Sequence, residues 1–232
     1  MIETVFFDAA GTLIEVAEPV GETYARAARA EGVAVESIAL DVAFRAVFVA
    51  APPLAFPSSA PGALRHLERE WWRERVLDTF ARAGVVGQAD RLDRAFRTAF
   101  DHFAHGSAWR VFADVGPALR TLRGRGLGLA VVSNFDSRLR AVLRELGLAG
   151  DLDAVVVSSE CGAAKPDRRI FTEALRATGA RAESTLHVGD SLEHDVGGAR
   201  AAGLAALRID RSRPAAGGTI ASLAEVADRL AD

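Results

Sequence analysis

From about Gly116 onward the chain alternates helix-like and strand-like segments, and few folds accommodate that pattern. Gly116–Arg125 reads as a helix and Leu127–Val132 as an apolar strand. Asp136–Leu146 carries Leu139, Val142, Leu143 and Leu146 on one face at helical spacing. Ala154–Val157, Thr185–Val188 and Leu204–Ile209 read as strands. Helices are expected at Arg168–Thr178, at about Glu193–Ala202 and at roughly Ser222–Leu230. Such repetition, with short glycine-containing links, predicts an α/β fold: a doubly wound, mostly parallel sheet covered by helices on both faces. Val5–Phe7, an apolar run that stops at Asp8, supplies a first strand far from the others in sequence.

The intervening hundred or so residues differ in character. Gly21–Glu31, Ile38–Ala50, Gly62–Ala83 and Ala89–His105 are all helix-like, with a Pro/Ser-rich loop at Ala51–Pro61. An all-helical insert at residues 16–109 is therefore expected, interrupting an α/β domain made of residues 1–15 and 110–232. A chain of 232 residues is long enough for such a core and a smaller insert.

Composition narrows the functional classes. Net charge is −3 and there is no long basic run, so the electrostatic footprint of a nucleic-acid binder is missing. Cys161 is the only cysteine, which excludes an internal disulfide and suits a reducing compartment. The apolar run Val47–Phe56 is broken by Pro52 and Pro53 and is far short of the roughly 20 residues of a membrane span. The N-terminal apolar run reads as a strand rather than a signal peptide. A cytoplasmic protein acting on a small molecule, as a monomer or homodimer without nucleic-acid or membrane partners, is the expectation. Lys165 is the only lysine, so any cationic group of that type in a mechanism must be this one.

Four short motifs carry chemistry. Asp8 with Gly11 and Thr12 ends the first strand, and Ser133-Asn134 ends the strand Leu127–Val132. Lys165-Pro166 leads into a helix, and Gly189-Asp190 with Asp195 ends the strand Thr185–Val188. In a doubly wound sheet ligands bind outside the carboxyl ends of the strands, so these ends would meet in one crevice. The residue types suit phosphoryl transfer. A carboxylate such as Asp8 can act as nucleophile, and Asp8 with Asp190 can hold one Mg²⁺. Lys165 and the Ser133 hydroxyl can neutralise and bind the transferring group, Asn134 can help position it, and Gly11 lets the backbone approach closely.

Together, Asp8-Ala9-Ala10-Gly11-Thr12-Leu13, Ser133, Lys165-Pro166-Asp167 and Gly189-Asp190…Asp195 resemble the haloacid dehalogenase-like hydrolase superfamily. The helical insert resembles that superfamily's cap domain. Gly21–Ala25, Trp71-Trp72 with Val76–Phe80, and Ser133–Asp136 are similar to its rhythmically-expressed-gene-two-like branch. The resemblance implies a Rossmann-like core, Asp8 as nucleophile, and Mg²⁺ held by Asp8, the Ala10 carbonyl and Asp190, with Asp195 beside the metal's waters.

One position departs from the pattern. In the superfamily's phosphatases, position 10 is an aspartate that protonates the leaving group and then activates water, help worth about 10²–10⁴-fold. Ala10 cannot do this. Three readings stay open: a leaving group that needs no proton, a stand-in such as His105, Glu15 or Glu18, or a slow or inactive metal and phosphate binder. Within the resemblance, phosphonoacetaldehyde hydrolases carry Ala at this position but need a cap lysine, and the insert has none. Haloacid dehalogenases place an aromatic residue there and lack the Gly-Asp pair seen here as Gly189-Asp190. Carbon–halogen hydrolysis is therefore the alternative, and Mg²⁺-dependent hydrolysis of a small phosphorylated compound the main expectation.

Other features have plainer readings. Trp71, Trp72, Phe80 and Phe96 are expected in the core of the insert. Arg65, Arg69, Arg73 and Arg75, interleaved with Glu68, Glu70 and Glu74, read as a solvated, ion-paired helix face. His187 reads as a packed, hydrogen-bonded residue.

Overall fold

A computed structural model describes residues 1–57, 62–212 and 218–230. In chain order the elements are β1 (Thr4–Phe7), β2 (Ile14–Val16), α1 (Val20–Ala30), α2 (Ser37–Val49), α3 (Leu64–Arg82), α4 (Ala89–His102) and β3 (Trp109–Val111). They continue with α5 (Val115–Gly124), β4 (Gly128–Ser133), α6 (Leu139–Glu145), β5 (Ala154–Val157), α7 (Ser158–Cys161) and α8 (Arg168–Thr178). The last are β6 (Thr185–Gly189), α9 (Gly198–Ala201), β7 (Ala205–Ile209), β8 (Thr219–Ile220) and α10 (Ala224–Arg229).

Six strands form one sheet in the order β5-β4-β1-β6-β7-β8, every neighbouring pair parallel. The strands after β1 build outward in two directions: β4 and β5 on one side, β6 to β8 on the other. The order therefore reverses beside β1, and the crevice of a doubly wound sheet opens at that point. All four residues of β1 are buried, as expected of a central strand covered on both faces. On one face Phe6, Ala130, Val132 and Val156 pack with Ile170, Phe171 and Ala174 of α8 and with Ala199 of α9. Val5, Phe7, Leu129 and Val131, whose side chains alternate with these, are fully buried too. The fold is the expected α/β class.

The chain divides into two compact units, one of residues 1–15, 54–59 and 110–232, the other of 16–53 and 60–109. The second is built from α1 to α4. Phe80 and Phe96 lie in its core with Tyr24, Leu40 and Leu92, and Trp72 packs against them. The charged run on α3 is less solvated than its sequence suggests. Glu68 is buried, Arg69 lies over the rings of Phe96 and Phe100, and Arg75 lies over Trp71. The long apolar stems and flat guanidinium groups of arginine allow this, since they cover rings while keeping their charge.

Two details escape a period-based reading. β2 and β3 pair as a separate two-stranded sheet, each only three residues long. Within the expected loop Ala51–Pro61, residues 54–57 group with the α/β unit rather than the helical one. Ser158 Oγ donates to the Leu54 carbonyl at 2.6 Å, which anchors that stretch. Ser58–Pro61 of the same loop lie outside the described residues.

Candidate active site

Asp8 follows β1 directly, and its N–H donates to the Val188 carbonyl at 2.9 Å, carrying the β1–β6 ladder one residue further. The chain then turns sharply at Gly11, whose φ of +85° favours glycine. A side chain at Gly11 would also meet Asp190, since a Cβ there would sit 2.6 Å from Oδ2. Ala10, between the two, is exposed.

Asp8 Oδ1 accepts two hydrogen bonds, from Lys165 Nζ at 2.7 Å and from Ser133 Oγ at 2.9 Å. Lys165 Nζ also donates to Asp195 Oδ1 at 2.6 Å. Asp8, Ser133, Lys165 and Asp195 are all buried. Burial alone would push the Lys165 ammonium toward losing its proton, yet Asp8 and Asp195 together hold it above the ordinary lysine range. Burial likewise opposes ionisation of Asp195, but the Lys165 charge and the His187 hydrogen bond keep that carboxyl well below the usual carboxylate range.

Asp190 behaves differently. One of its oxygens lies within 4.8 Å of one from Asp8 and one from Asp195, and desolvation followed by the charges of those two carboxylates pushes its pKa up to about 6. One ammonium does not neutralise three clustered carboxylates, so this donor set suits an oxygen-seeking divalent cation. Asp8 and Asp190 are the residues best placed to hold it. Asp195 is already committed, with Oδ1 to Lys165 and His187 and Oδ2 to the Ser191 N–H at 2.9 Å.

Six expected site residues, Asp8, Gly11, Ser133, Lys165, Asp190 and Asp195, thus meet near the ends of β1, β4 and β6. Asn134 has a specific use. Its Oδ1 accepts from the Lys165 N–H at 2.7 Å and its Nδ2 donates to the Lys165 carbonyl at 2.9 Å, clamping the backbone of the lysine. Thr12 is fully buried, and its Oγ1 has no partner among the described residues. Its carbonyl accepts from Arg211 Nη2, while Arg211 Nη1 pairs with Asp114 at 2.9 Å and the guanidinium lies over Phe112 at 3.8 Å. Arg211 is 199 residues from Thr12, and no local signal marks it.

Gly189 is as constrained as Gly11. A Cβ there would lie 2.2 Å from Asp195 Cγ. Gly189→Ala is therefore expected to displace Asp195 from Lys165 and to cost about 1–3 kcal/mol, the usual effect of overpacking. A fall in the urea midpoint at unchanged slope measures it, and an unchanged midpoint would show that Asp195 yields freely.

Two of the proposed stand-ins for an acid at position 10 are tied up. Glu15 Oε1 accepts from Arg110 at 2.8 and 3.0 Å. Glu18 accepts from Arg26 and Thr23, and the Arg26 hydrogen bonds foremost hold its carboxyl down to about 2. A carboxyl ionised that firmly has no proton to give near neutral pH.

The sequence profile of haloacid dehalogenase-like hydrolases matches residues 2–203. The chain belongs to that family. A haloacid dehalogenase-like hydrolase domain-containing protein 3 from Mus musculus is 40% identical over 209 residues, spanning 90% of this chain and 82% of the relative. A phosphoserine phosphatase from Thermus thermophilus is 38% identical over 141 residues, 60% of this chain and 55% of that protein. Among solved structures, a magnesium-bound haloacid dehalogenase-type hydrolase, YfnB from Bacillus subtilis, superposes with a TM-score of 0.72 at 18% identity, covering 99% of this chain and 98% of the other. As a haloacid dehalogenase-like hydrolase, the chain is an enzyme of a hydrolytic family on an α/β scaffold. No helix among the described residues is long and apolar enough to cross a membrane.

Proposed function

We propose that this hydrolase cleaves a small phosphorylated compound with Mg²⁺, through a phospho-enzyme formed on Asp8. The observation that carries the reading is the pairing of Asp8 Oδ1 with both Lys165 Nζ and Ser133 Oγ while Asp190 stands beside the same carboxylate. An aspartate fixed through one oxygen presents the other to an incoming phosphorus. Attack forms the Asp8–phosphorus bond and breaks the bond from phosphorus to the leaving oxygen. Water then cleaves the acyl phosphate, which restores Asp8 and releases phosphate.

Lys165 and Ser133 orient Asp8, and the Lys165 ammonium also lies where charge on the transferring group would build up. Mg²⁺ held by Asp8 and Asp190, with the Ala10 carbonyl as a further ligand, would supply neutralising charge for the phosphoryl oxygens. Asn134 keeps Lys165 in place. Relatives named as phosphatases support the substrate class.

Ala10 narrows the substrate further. With Glu15 and Glu18 ion-paired, only His105 is left of the three stand-ins, and the reading favours leaving groups that depart without a proton, such as those of acyl phosphates and phosphoanhydrides. Such compounds should be hydrolysed with kcat/KM at least about 10²-fold above simple alkyl phosphates, the scale of the missing acid help. Equal rates on both classes, rates that survive chelation, or halide release from 2-haloacids would each overturn the proposal.

Cation binding should depend on pH. The folded pKa of Asp190 lies near 6, above the ordinary value of 3.8. The stability this residue contributes without metal is therefore present below that ordinary value and lost as pH rises through about 6. Bound Mg²⁺ needs the ionised form, so it stabilises most where the metal-free protein has lost that contribution. The rise in Tm on adding MgCl₂ should be largest near pH 7.5 and fade below about pH 6. A Mg²⁺ effect that is flat across that range would remove Asp190 from the metal site.

A further inference from the structure

His187 lies on β6, two residues before Gly189, and is fully buried. Its ring meets Phe171 edge-on, with centroids 5.1 Å apart. Nε2 lies 2.9 Å from Asp195 Oδ1, the same oxygen that accepts from Lys165. A carboxylate so engaged can only accept, so Nε2 is the donor. Nδ1 is buried and has no partner among the described residues.

That leftover nitrogen is informative. A buried polar atom without a partner destabilises the fold, and an apolar side chain at this place on β6 would avoid the cost. Packing alone therefore gives no reason for a histidine here, whereas the reach of Nε2 to Asp195 does. Asp195 is held on one side by the Ser191 N–H on Oδ2 and walled by Gly189. The remaining freedom is rotation of its carboxylate, and the bond from His187 removes it. Oδ1 is thereby fixed where it receives Lys165, and Lys165 is fixed where it meets Asp8.

We propose that His187 is a positioning residue, which locks Asp195 and through it the Lys165 ammonium opposite Asp8. The proposal rests on the reading of Asp8 and Lys165 given above, and it can be tested without turnover because Lys165 is the only lysine in the chain. Protein grown with side-chain ¹⁵N-lysine gives a single ammonium signal, which reports directly on this contact.

In His187→Leu that signal should move and its protons should exchange with water several-fold faster, because Asp195 Oδ1 loses one of its two donors. His187→Gln, whose Nε2 reaches about as far, should restore both signal and exchange, and the shorter His187→Asn should not. With a hydrolysable acyl phosphate as probe, His187→Leu should lower kcat about tenfold with KM little changed, the scale seen when partners that orient functional groups are removed. An unmoved lysine signal in His187→Leu, or kcat equal to that of the wild type, would overturn the proposal. If His187→Leu does not fold, the Gln and Asn pair decides: equal lysine signals in both would overturn it. A wild-type protein that hydrolyses nothing would sink the proposed function and leave the lysine signal to judge His187.

Discussion

Asp8→Asn should abolish hydrolysis, by roughly 10⁴-fold or more, since an amide oxygen cannot form the acyl phosphate. The substitution is a sharp test because it leaves the local geometry nearly intact. Asparagine keeps an Oδ1 acceptor for Ser133 Oγ and Lys165 Nζ, and Lys165 keeps its ionised partner Asp195. Two electrostatic changes then oppose each other. Lys165 loses one anionic neighbour, which destabilises a buried cation. Asp190 loses one of the two carboxylates that push its pKa up, which stabilises its ionised form. Tm without metal should therefore change little while activity disappears. Steady-state rates and phosphate release in a single turnover measure the loss, and residual activity above about one per cent would assign the nucleophile to another group.

Ala10→Asp should act in the opposite direction, raising hydrolysis of alkyl phosphates by about 10²–10⁴-fold. Ala10 is exposed and lies two residues past Asp8 in the turn that Gly11 completes, so a carboxylate can be added there without being buried. Its proton would go to the departing alkoxide, and the resulting carboxylate would then draw a proton from the attacking water. Acyl phosphates, whose leaving groups need no proton, should gain much less. The ratio of the two gains is the measurement. A similar rise for both substrates would point to a change in metal binding instead, and no rise for alkyl phosphates would mean that an acid is already present or that the chemistry is not phosphoryl transfer.

Much of the scaffold could be read from residue patterns, for physical reasons. Strands buried on both faces, such as Val5–Phe7 and Leu129–Val132, must be continuously apolar, and such runs stand out. The helices of the second unit announce themselves through apolar residues at helical spacing around Tyr24, Phe80 and Phe96. Asp8, Ser133, Lys165 and Asp190 could be placed because a parallel sheet brings its strand ends together wherever they fall in sequence.

What stayed hidden depends on single atoms rather than on patterns. Asn134 reads as a ligand-binding residue from its place after β4, and only the fold brings both ends of its amide onto the Lys165 backbone. Asp195 reads as a neighbour of the metal site and lies in that carboxylate cluster, but its bonds to Lys165, His187 and the Ser191 N–H have no mark in the sequence. β2 and β3 are too short to show a period, and Arg211 has nothing nearby to mark its bond to Thr12.

That last bond bears on when the enzyme can begin to work. Thr12 leaves the ribosome early, but the guanidinium that holds its carbonyl follows 199 residues later. At about 5–20 residues per second, the turn that follows Asp8 waits roughly 10–40 s for its strap. Asp114, which secures Arg211, must itself be capped by the Leu223 N–H and the Ser222 hydroxyl, later still. A nascent chain therefore carries the turn after Asp8 without this strap until the residues beyond β7 have been added.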